Sequence, residues 1–402
     1  MSAVHELDAG AMQAAFDLAP GINYLNSAGQ TPRLRTGLAA AARALAQSAR
    51  PWTQSIDAWL AVPEAVRSKA AKLFGCSSED LALVPSVAYG SATAAANLPL
   101  RRGQIVLTLA GEHPSAVNAW AVAAQRQGAI MQSVQRDGDT TWTDAILAAV
   151  GPATAVVAVP ACHWLDGRAI DLLRVAPAVR AVGAALVVDA TQALGVLDLD
   201  FAAIDPDFLM AAGHKWLLGA PGLAYLYVAP RQQHGRPLEE HAWARRGGLI
   251  ASEADRPLPD RMPGAARFDA SGIASGAPIA MAAAALDQLS DWGVSRVRNR
   301  LQDWQRRLLA DLHARGMGDW MVAADQPHLC ALRSPHADAA GCQRLVDFLA
   351  SEGIVAAARG SAVRVSPYVH SSDGDADQLA QALARWQCLS SPARPSRTPR
   401  GP

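Results

Sequence analysis

Short apolar segments alternate with amphipathic helical segments through the first two thirds of the chain. Three of the apolar segments, rich in Val, Ile and Leu, are QIVLTLAG at residues 104–111, TAVVAVPA at 154–161 and AALVVDA at 184–190. Continuous apolar strands of this length are typical of a parallel sheet that is buried on both faces between layers of helices. The pattern therefore predicts an α/β domain.

The pattern changes near Gly264. Two long segments with helical spacing of apolar residues follow, and after them come the strand-like segments LCALRS and SAVRVSPYV. The last residues, SSPARPSRTPRGP, have no apolar periodicity. We therefore predict a helical arm at 1–20, a large domain at 21–263, a smaller C-terminal α+β domain at 264–389 and a disordered tail at 390–402.

Charge and cysteine content narrow the class of function. The 402 residues include 36 basic and 36 acidic side chains, so no general field attracts nucleic acid or an anionic membrane, and small-molecule chemistry is favoured. The five cysteines are widely spaced, with no CxxC pair and no zinc pattern, which predicts reduced thiols in a cytoplasmic protein without a metal site. There is no secretory-signal pattern and no apolar run long enough to span a bilayer.

A lysine stands between two apolar segments in MAAGHKWLLGAPGLAYLYV, where Lys215 follows a glycine and a histidine. Upstream, Asp189 comes at the end of the predicted strand in LVVDATQALG, with Gln192 three residues later. Carboxyl ends of parallel strands face the ligand crevice of an α/β sheet. The residues between Asp189 and Lys215 leave room for one connection and one neighbouring strand, DFLMAA, so both side chains can reach one pocket.

An amine for covalent attachment and a carboxylate for a ring nitrogen are what pyridoxal phosphate requires of a protein. Considered singly, Lys215 fits a surface lysine whose alkyl chain lies along the protein, and Asp189 fits a turn residue or a helix cap. The combination of both motifs after successive strands favours a pyridoxal phosphate site.

The segment VVDATQALGVLDLDFAAIDPDFLMAAGHKWLLGAPGLAYLYVAP resembles the signature of the class V aminotransferase family. This family is a branch of the fold type I pyridoxal phosphate enzymes and includes cysteine desulfurases, isopenicillin N epimerase and kynureninase. The resemblance extends from YLNSAG near Tyr24 to about Leu379. It implies a large domain with a mainly parallel seven-stranded sheet, a smaller C-terminal α+β domain, and a homodimer with the active site at the junction.

The resemblance also implies roles for individual residues. By its motifs, Lys215 forms the aldimine with the cofactor and moves the Cα proton, Asp189 contacts the pyridine nitrogen and Gln192 contacts the phenolic oxygen. Further cofactor contacts, to the ring or the phosphate, are implied for His113, His214, the backbone of Ala88 and Tyr89, and Ser275, which lies with Arg267 in a stretch that reaches the partner's phosphate.

The substrate site is expected to include Arg364, which the resemblance places on the substrate carboxylate, and the segment that contains Asn26 and Ala28. Without the resemblance, Arg364 fits a solvated strand-edge arginine and His113 fits a histidine that caps a turn. The helix start near Ala88 then has no special meaning.

Three departures from the family pattern bear on the reaction. GIVAAARGSAVRVS lacks the cysteine of the desulfurases, Ala212 replaces a serine and Ala161 replaces an asparagine. We therefore predict a pyridoxal phosphate enzyme that deprotonates the Cα of an amino acid through a Lys215 aldimine, and expect an aminotransferase. The alternatives are a C–S or other β-lyase, an amino-acid epimerase, and an inactive scaffold of the same fold.

Overall fold

The computed structural model describes residues 9–247, 257–273, 276–334 and 338–390. Its strands are β1 (Asn23–Tyr24), β2 (Leu81–Val84), β3 (Ile105–Leu109), β4 (Ile130–Val134), β5 (Thr154–Pro160), β6 (Ala185–Asp189), β7 (Phe208–Ala212), β8 (Ala224–Val228), β9 (Met321–Gln326), β10 (Leu329–Leu332), β11 (Ile354–Val355), β12 (Ala357–Arg359) and β13 (Ala362–Val365).

The α-helices of these ranges are α1 (Ala9–Ala14), α2 (Arg35–Ser48), α3 (Ile56–Phe74), α4 (Val87–Asn97), α5 (Pro114–Gln127), α6 (Trp142–Ala149), α7 (Leu172–Ala181), α8 (Phe201–Ile204), α9 (Ala277–Trp292), α10 (Val294–Ala314), α11 (Ala339–Ser351) and α12 (Asp373–Ser390). Among the described residues, no helix has both the length and the apolar character needed to cross a membrane.

A mainly parallel sheet forms the centre of the described structure. Its seven strands have the order β2-β8-β7-β6-β5-β3-β4. Neighbouring strands are parallel except at β8, which is antiparallel to both β2 and β7. The predicted α/β class is therefore confirmed, and the apolar segments at 104–111, 154–161 and 184–190 correspond to β3, β5 and β6.

Both faces of this sheet are buried, which explains why its central strands are continuously apolar. In β6, Leu186 and Val188 pack in one hydrophobic cluster, whereas Val187 packs in a second cluster on the opposite face. Successive side chains of a strand point to opposite faces, so a strand between two layers of helices needs apolar residues at every position.

A smaller unit follows in the C-terminal part of the chain. Its sheet has the order β12-β13-β10-β9 with antiparallel neighbours, and β11 pairs in parallel with β1 from the other end of the chain. The predicted smaller C-terminal α+β domain is thereby confirmed. Its exact limits stay a prediction, because α9 packs into the core of the large sheet, whereas Leu25 packs into the core of the C-terminal unit.

A tight turn after β7 carries Lys215. The N–H of Gly219 donates to the carbonyl oxygen of Gly213 at 2.7 Å, and the N–H of Gly213 donates to that of Leu223 at 3.0 Å. A Cβ on Gly213 would lie 2.7 Å from the Leu223 oxygen, so only glycine allows this approach. From the N-terminal segment, the Arg33 guanidinium donates to the carbonyl oxygens of His214 and Gly219.

The turn also depends on Gly195, which lies in the segment that connects β6 to α8. Gly195 has φ +95°, and a Cβ there would lie 2.4 Å from the carbonyl oxygen of Trp216, the residue after Lys215. The backbone of the Lys215 turn is thus packed directly against a second loop, with no space for a side chain between them.

We predict that Gly195→Ala lowers the free energy of unfolding by roughly 3 kcal/mol, because left-handed backbone strain and overpacking add. Gly183→Ala is the matched control, since Gly183 also has positive φ (+72°) but nothing lies within 4 Å of its added Cβ. For the control we expect a loss of about 1 kcal/mol. Urea unfolding followed by circular dichroism measures both, and equal losses would contradict the packing argument.

Candidate active site

A cavity of about 450 Å³ lies at the carboxyl ends of the central strands, where ligand crevices of α/β sheets occur. Side chains from the seven-stranded sheet and from the C-terminal sheet line it together. Most of the predicted site residues are among its lining residues, namely Ala28, Ala88, His113, Asp189, Gln192, His214, Lys215 and Arg364. Asn26 and Tyr89 are not, and Ser275 lies outside the described residues.

The Lys215 amine is largely removed from water. Its pKa is lowered to about 8, because burial, together with the charges of Arg364 and Arg359, outweighs the opposing carboxylates of Asp189 and Glu112. A neutral amine is the nucleophilic form, so this environment makes Lys215 reactive near neutral pH.

Asp189 and Gln192 are held in fixed orientations by their neighbours. One carboxylate oxygen of Asp189 accepts the N–H of Thr191 at 2.8 Å. The indole N–H of Trp216, which can only donate, gives its hydrogen to Oε1 of Gln192 at 2.7 Å. The Gln192 NH₂ group is therefore the end that donates, and one of its hydrogens goes to the carbonyl oxygen of Ala28 at 3.1 Å.

His113 is both a lining residue and a helix cap. Its Nδ1 accepts the N–H of Ser115 at 3.3 Å at the start of α5, and its ring stands edge-on to Trp164 at 5.2 Å between centroids. The cap predicted from the sequence is thus present, whereas the contact of His113 with a cofactor stays a prediction. Burial, and then the charge of Lys215, lower the pKa of the His113 ring.

The start of α4 points at the cavity through Ser86 and Ala88, which both line it. The first N–H groups of a helix have no acceptor within the helix and favour an anion. The N–H of Tyr89, however, donates to Oγ of Ser86 at 3.1 Å, so this capping bond already occupies one of the two predicted donors. The geometry favours Ala88 over Tyr89.

His214 lines the cavity directly before Lys215. Burial, with the charges of Lys215 and Arg33, lowers the pKa of its ring to about 4. The imidazole is therefore neutral at physiological pH and can both donate and accept one hydrogen bond.

Arg364 is 1% exposed, and its guanidinium is held from two sides. It donates to the carbonyl oxygen of Trp164 at 2.8 Å and to Oδ1 of Asn26 at 3.3 Å. Asn26 therefore acts on the cavity through Arg364, without lining it. Burial, and then the charge of Arg359, lower the pKa of Arg364.

Glu112 and Arg359 also line the cavity and were missed from the sequence. Oε1 of Glu112 accepts the N–H of His113 at 2.6 Å, whereas its Oε2 is buried with no hydrogen-bond partner among the described residues. Burial raises the pKa of Glu112 to about 7. Their positions in the sequence could have identified them, since Glu112 directly precedes His113 and Arg359 comes five residues before Arg364.

Of the two alanines that depart from the family pattern, Ala212 and Ala161, one lines the cavity and the other does not. Ala212 lines the cavity, so the hydroxyl of the family serine is absent there. Ala161 does not line it, but its neighbour Cys162 does. Burial raises the pKa of the Cys162 thiol well above its usual range, so it is not a thiolate nucleophile. Arg267 is not a lining residue, and its predicted contact with a partner's phosphate stays a prediction.

Comparison with known proteins identifies relatives along most of the chain. The sequence model described as aminotransferase class-V matches residues 24–375. Uncharacterized aminotransferase YcbU of Bacillus subtilis (strain 168) is 26% identical over 327 residues, which cover 80% of this chain and 82% of YcbU. Isopenicillin N epimerase of Streptomyces clavuligerus is 28% identical over 334 residues, 79% of this chain and 82% of that protein.

The fold has a counterpart among solved structures. The cysteine desulfurase CsdA from Escherichia coli superposes with a TM-score of 0.79, covering 95% of this chain and 99% of that chain at 18% identity. At this identity the likeness shows the fold, which is the predicted fold type I.

We predict that Glu112→Gln stabilises the protein at pH 8 but not at pH 5. The folded chain releases the Glu112 proton near pH 7, against an ordinary value of 4.5, so the wild-type free energy of unfolding falls between these values as pH rises. The upper limit of this loss is about 3 kcal/mol. Glutamine keeps the acceptor for the His113 N–H and removes the buried charge.

Thermal unfolding at pH 5, 6, 7 and 8 measures the difference, with Glu79→Gln as an exposed carboxyl control. A Glu112→Gln stability gain that is the same at every pH, or a loss at pH 8, would show that the Glu112 carboxyl does not carry a costly charge.

Proposed function

The chain belongs to the aminotransferase class-V family and is a pyridoxal-phosphate-dependent enzyme, and we propose that it transfers the amino group of an amino acid to a 2-oxo acid. The observation that carries the proposal is the convergence of the Lys215 amine, the Asp189 carboxylate and the Arg364 guanidinium on one cavity. These groups match the three requirements of amino transfer, which are covalent attachment, an electron-poor ring and a held substrate carboxylate.

The residues present fit the cofactor. Pyridoxal phosphate supplies an aldehyde for an amine and a ring that accepts an electron pair from the substrate. Lys215 would attach the aldehyde, Asp189 would accept the hydrogen of the ring nitrogen, and the Gln192 NH₂ group would donate to the phenolic oxygen. The phosphate would bind at the start of α4, at Ser86 and Ala88, with neutral His214 as a further hydrogen-bond partner.

Lys215 is also the residue that moves the substrate proton. Its amine, with a pKa of about 8, is matched to accept and return a proton near neutral pH. Arg364 would hold the α-carboxylate with two N–H groups, since its fork is fixed by Trp164 and Asn26. Amino transfer needs no acid or base besides Lys215, because the same amine can take the proton from the substrate Cα and deliver it to another carbon.

A second candidate is a β-lyase, and Glu112 favours it. A carboxyl group with a pKa of about 7, whose Oε2 is buried without a hydrogen-bond partner among the described residues, can donate a proton to a departing group. Desulfurase chemistry has less support. Cys162 is the cysteine that lines the cavity in the described part of the chain, and its thiol is held protonated by burial.

Incubation of the holoenzyme with an amino-acid panel, with and without a 2-oxo acid, tests the proposal. We expect sustained formation of a second amino acid only when the 2-oxo acid is present, and no more than one equivalent of product without it. Lys215→Ala should reduce turnover by at least about 100-fold, because the general base is lost. Lys72→Ala, at an exposed helix position, is the control.

If ammonia is released over many turnovers without a 2-oxo acid, the enzyme catalyses elimination and the proposal of amino transfer is wrong. Full activity in Lys215→Ala would remove Lys215 from the chemistry altogether. No change of the cofactor spectrum with any amino acid would favour the inactive scaffold.

A further inference from the structure

Two arginines of the C-terminal sheet share the cavity with Lys215. Arg359 ends β12 and Arg364 lies in β13, and these antiparallel strands pair Arg359 with Ala362 and Ala357 with Arg364. Directly opposed residues of an antiparallel pair share a face, as do residues two apart in one strand. The register therefore places both arginines on the same face of the β12–β13 hairpin, and both line the cavity.

Neither arginine has an acidic partner. Within the described ranges, no Asp or Glu oxygen lies within 4 Å of either guanidinium, and the Nε of each is buried without an acceptor. Arg67, which is buried to the same degree as Arg364, instead forms an ion pair with Asp269 at 2.6 Å. Arg359 is partly buried, whereas Arg364 is 1% exposed, and a buried charge without a partner is costly. Two guanidinium groups that face one cavity without an acidic partner therefore indicate a site for anions.

Trp164 contacts both guanidinium groups through different atoms. Its carbonyl oxygen accepts from Arg364 at 2.8 Å, whereas its ring lies 5.8 Å from Cζ of Arg359. The ring is itself held, because the indole N–H donates to the carbonyl oxygen of Gly111 at 2.8 Å. The two arginines therefore contact different atoms of one held residue, its backbone oxygen and its ring, an arrangement that leaves each guanidinium free to bind its own anionic group.

We propose that Arg359 binds a second acidic group, on the substrate's side chain, so that the enzyme acts on amino acids with an anionic side chain such as a second carboxylate. The proposal rests on the proposed function in one respect, that Arg364 holds the α-carboxylate. The permanent positive charges of the lining residues Arg359 and Arg364 agree with it.

Binding of dicarboxylates without an amino group tests Arg359 without any turnover. Isothermal titration of the holoenzyme with succinate and glutarate is compared with titration of their monoamides, succinamate and glutaramate. We expect the better dicarboxylate to bind roughly 10- to 100-fold more tightly than its monoamide, as one charge-assisted contact provides. Arg359→Gln should abolish this ratio and leave monoamide affinity within about twofold.

Three further variants control the result. Arg359→Lys should retain part of the ratio, because it keeps the charge and loses the fork. Arg364→Gln should weaken dicarboxylates and monoamides alike, and Arg344→Gln, at an exposed position of α11, should change neither. Equal wild-type affinities for dicarboxylate and monoamide, or an Arg359→Gln variant that weakens both equally, would overturn the proposal.

Turnover separates this proposal from the proposed function. With glutamate and aspartate against glutamine and asparagine, the wild type should prefer the acidic substrates in kcat/KM, and Arg359→Gln should lose the preference. Neutral amino acids used equally well by both proteins would overturn the Arg359 site and leave amino transfer intact. Dicarboxylate selectivity in calorimetry without turnover of any amino acid would support the Arg359 site and overturn amino transfer instead.

Discussion

The site depends on one constraint, the tight turn that places the Lys215 amine inside the protein. Glycines at 195 and 213 let two loops approach so closely that the turn has no room to shift, and the Arg33 guanidinium binds its carbonyl oxygens from outside. Burial at this position lowers the pKa of the amine to about 8. The rigid turn thus makes the Lys215 amine more nucleophilic near neutral pH than an ordinary lysine, as the proposed function requires.

The charged groups around that amine come from distant parts of the chain, with the carboxylate and the arginines on different sheets. Asp189 supplies a carboxylate from the parallel sheet, and its position is fixed by Thr191. The arginines come from the C-terminal sheet and lie around Trp164. In the proposed function, a cofactor would meet the sheet and the start of α4, whereas a substrate would meet the arginine side, where amino acids would be selected.

The sequence predicted those parts of the structure that local patterns specify. The apolar segments identified β3, β5 and β6, and the motif spacing brought Asp189 and Lys215 to one cavity. The antiparallel direction of β8 was not predictable, because a strand buried on both faces is apolar whichever way it runs. Arg359 and Arg33 were missed because their roles arise from hairpin register and from contacts across the fold, which no local spacing encodes.

The most direct test of the account is the titration of the Lys215 amine in the cofactor-free protein. The chain has three lysines, Lys69, Lys72 and Lys215, so labelling with an amine-reactive reagent can be assigned to each by peptide mass spectrometry. The rate at Lys215, measured from pH 6 to 11 on folded protein, should rise with a midpoint at pH about 8. A midpoint near the ordinary lysine value of about 10.4 would show that the turn leaves the amine in water, and would contradict the account.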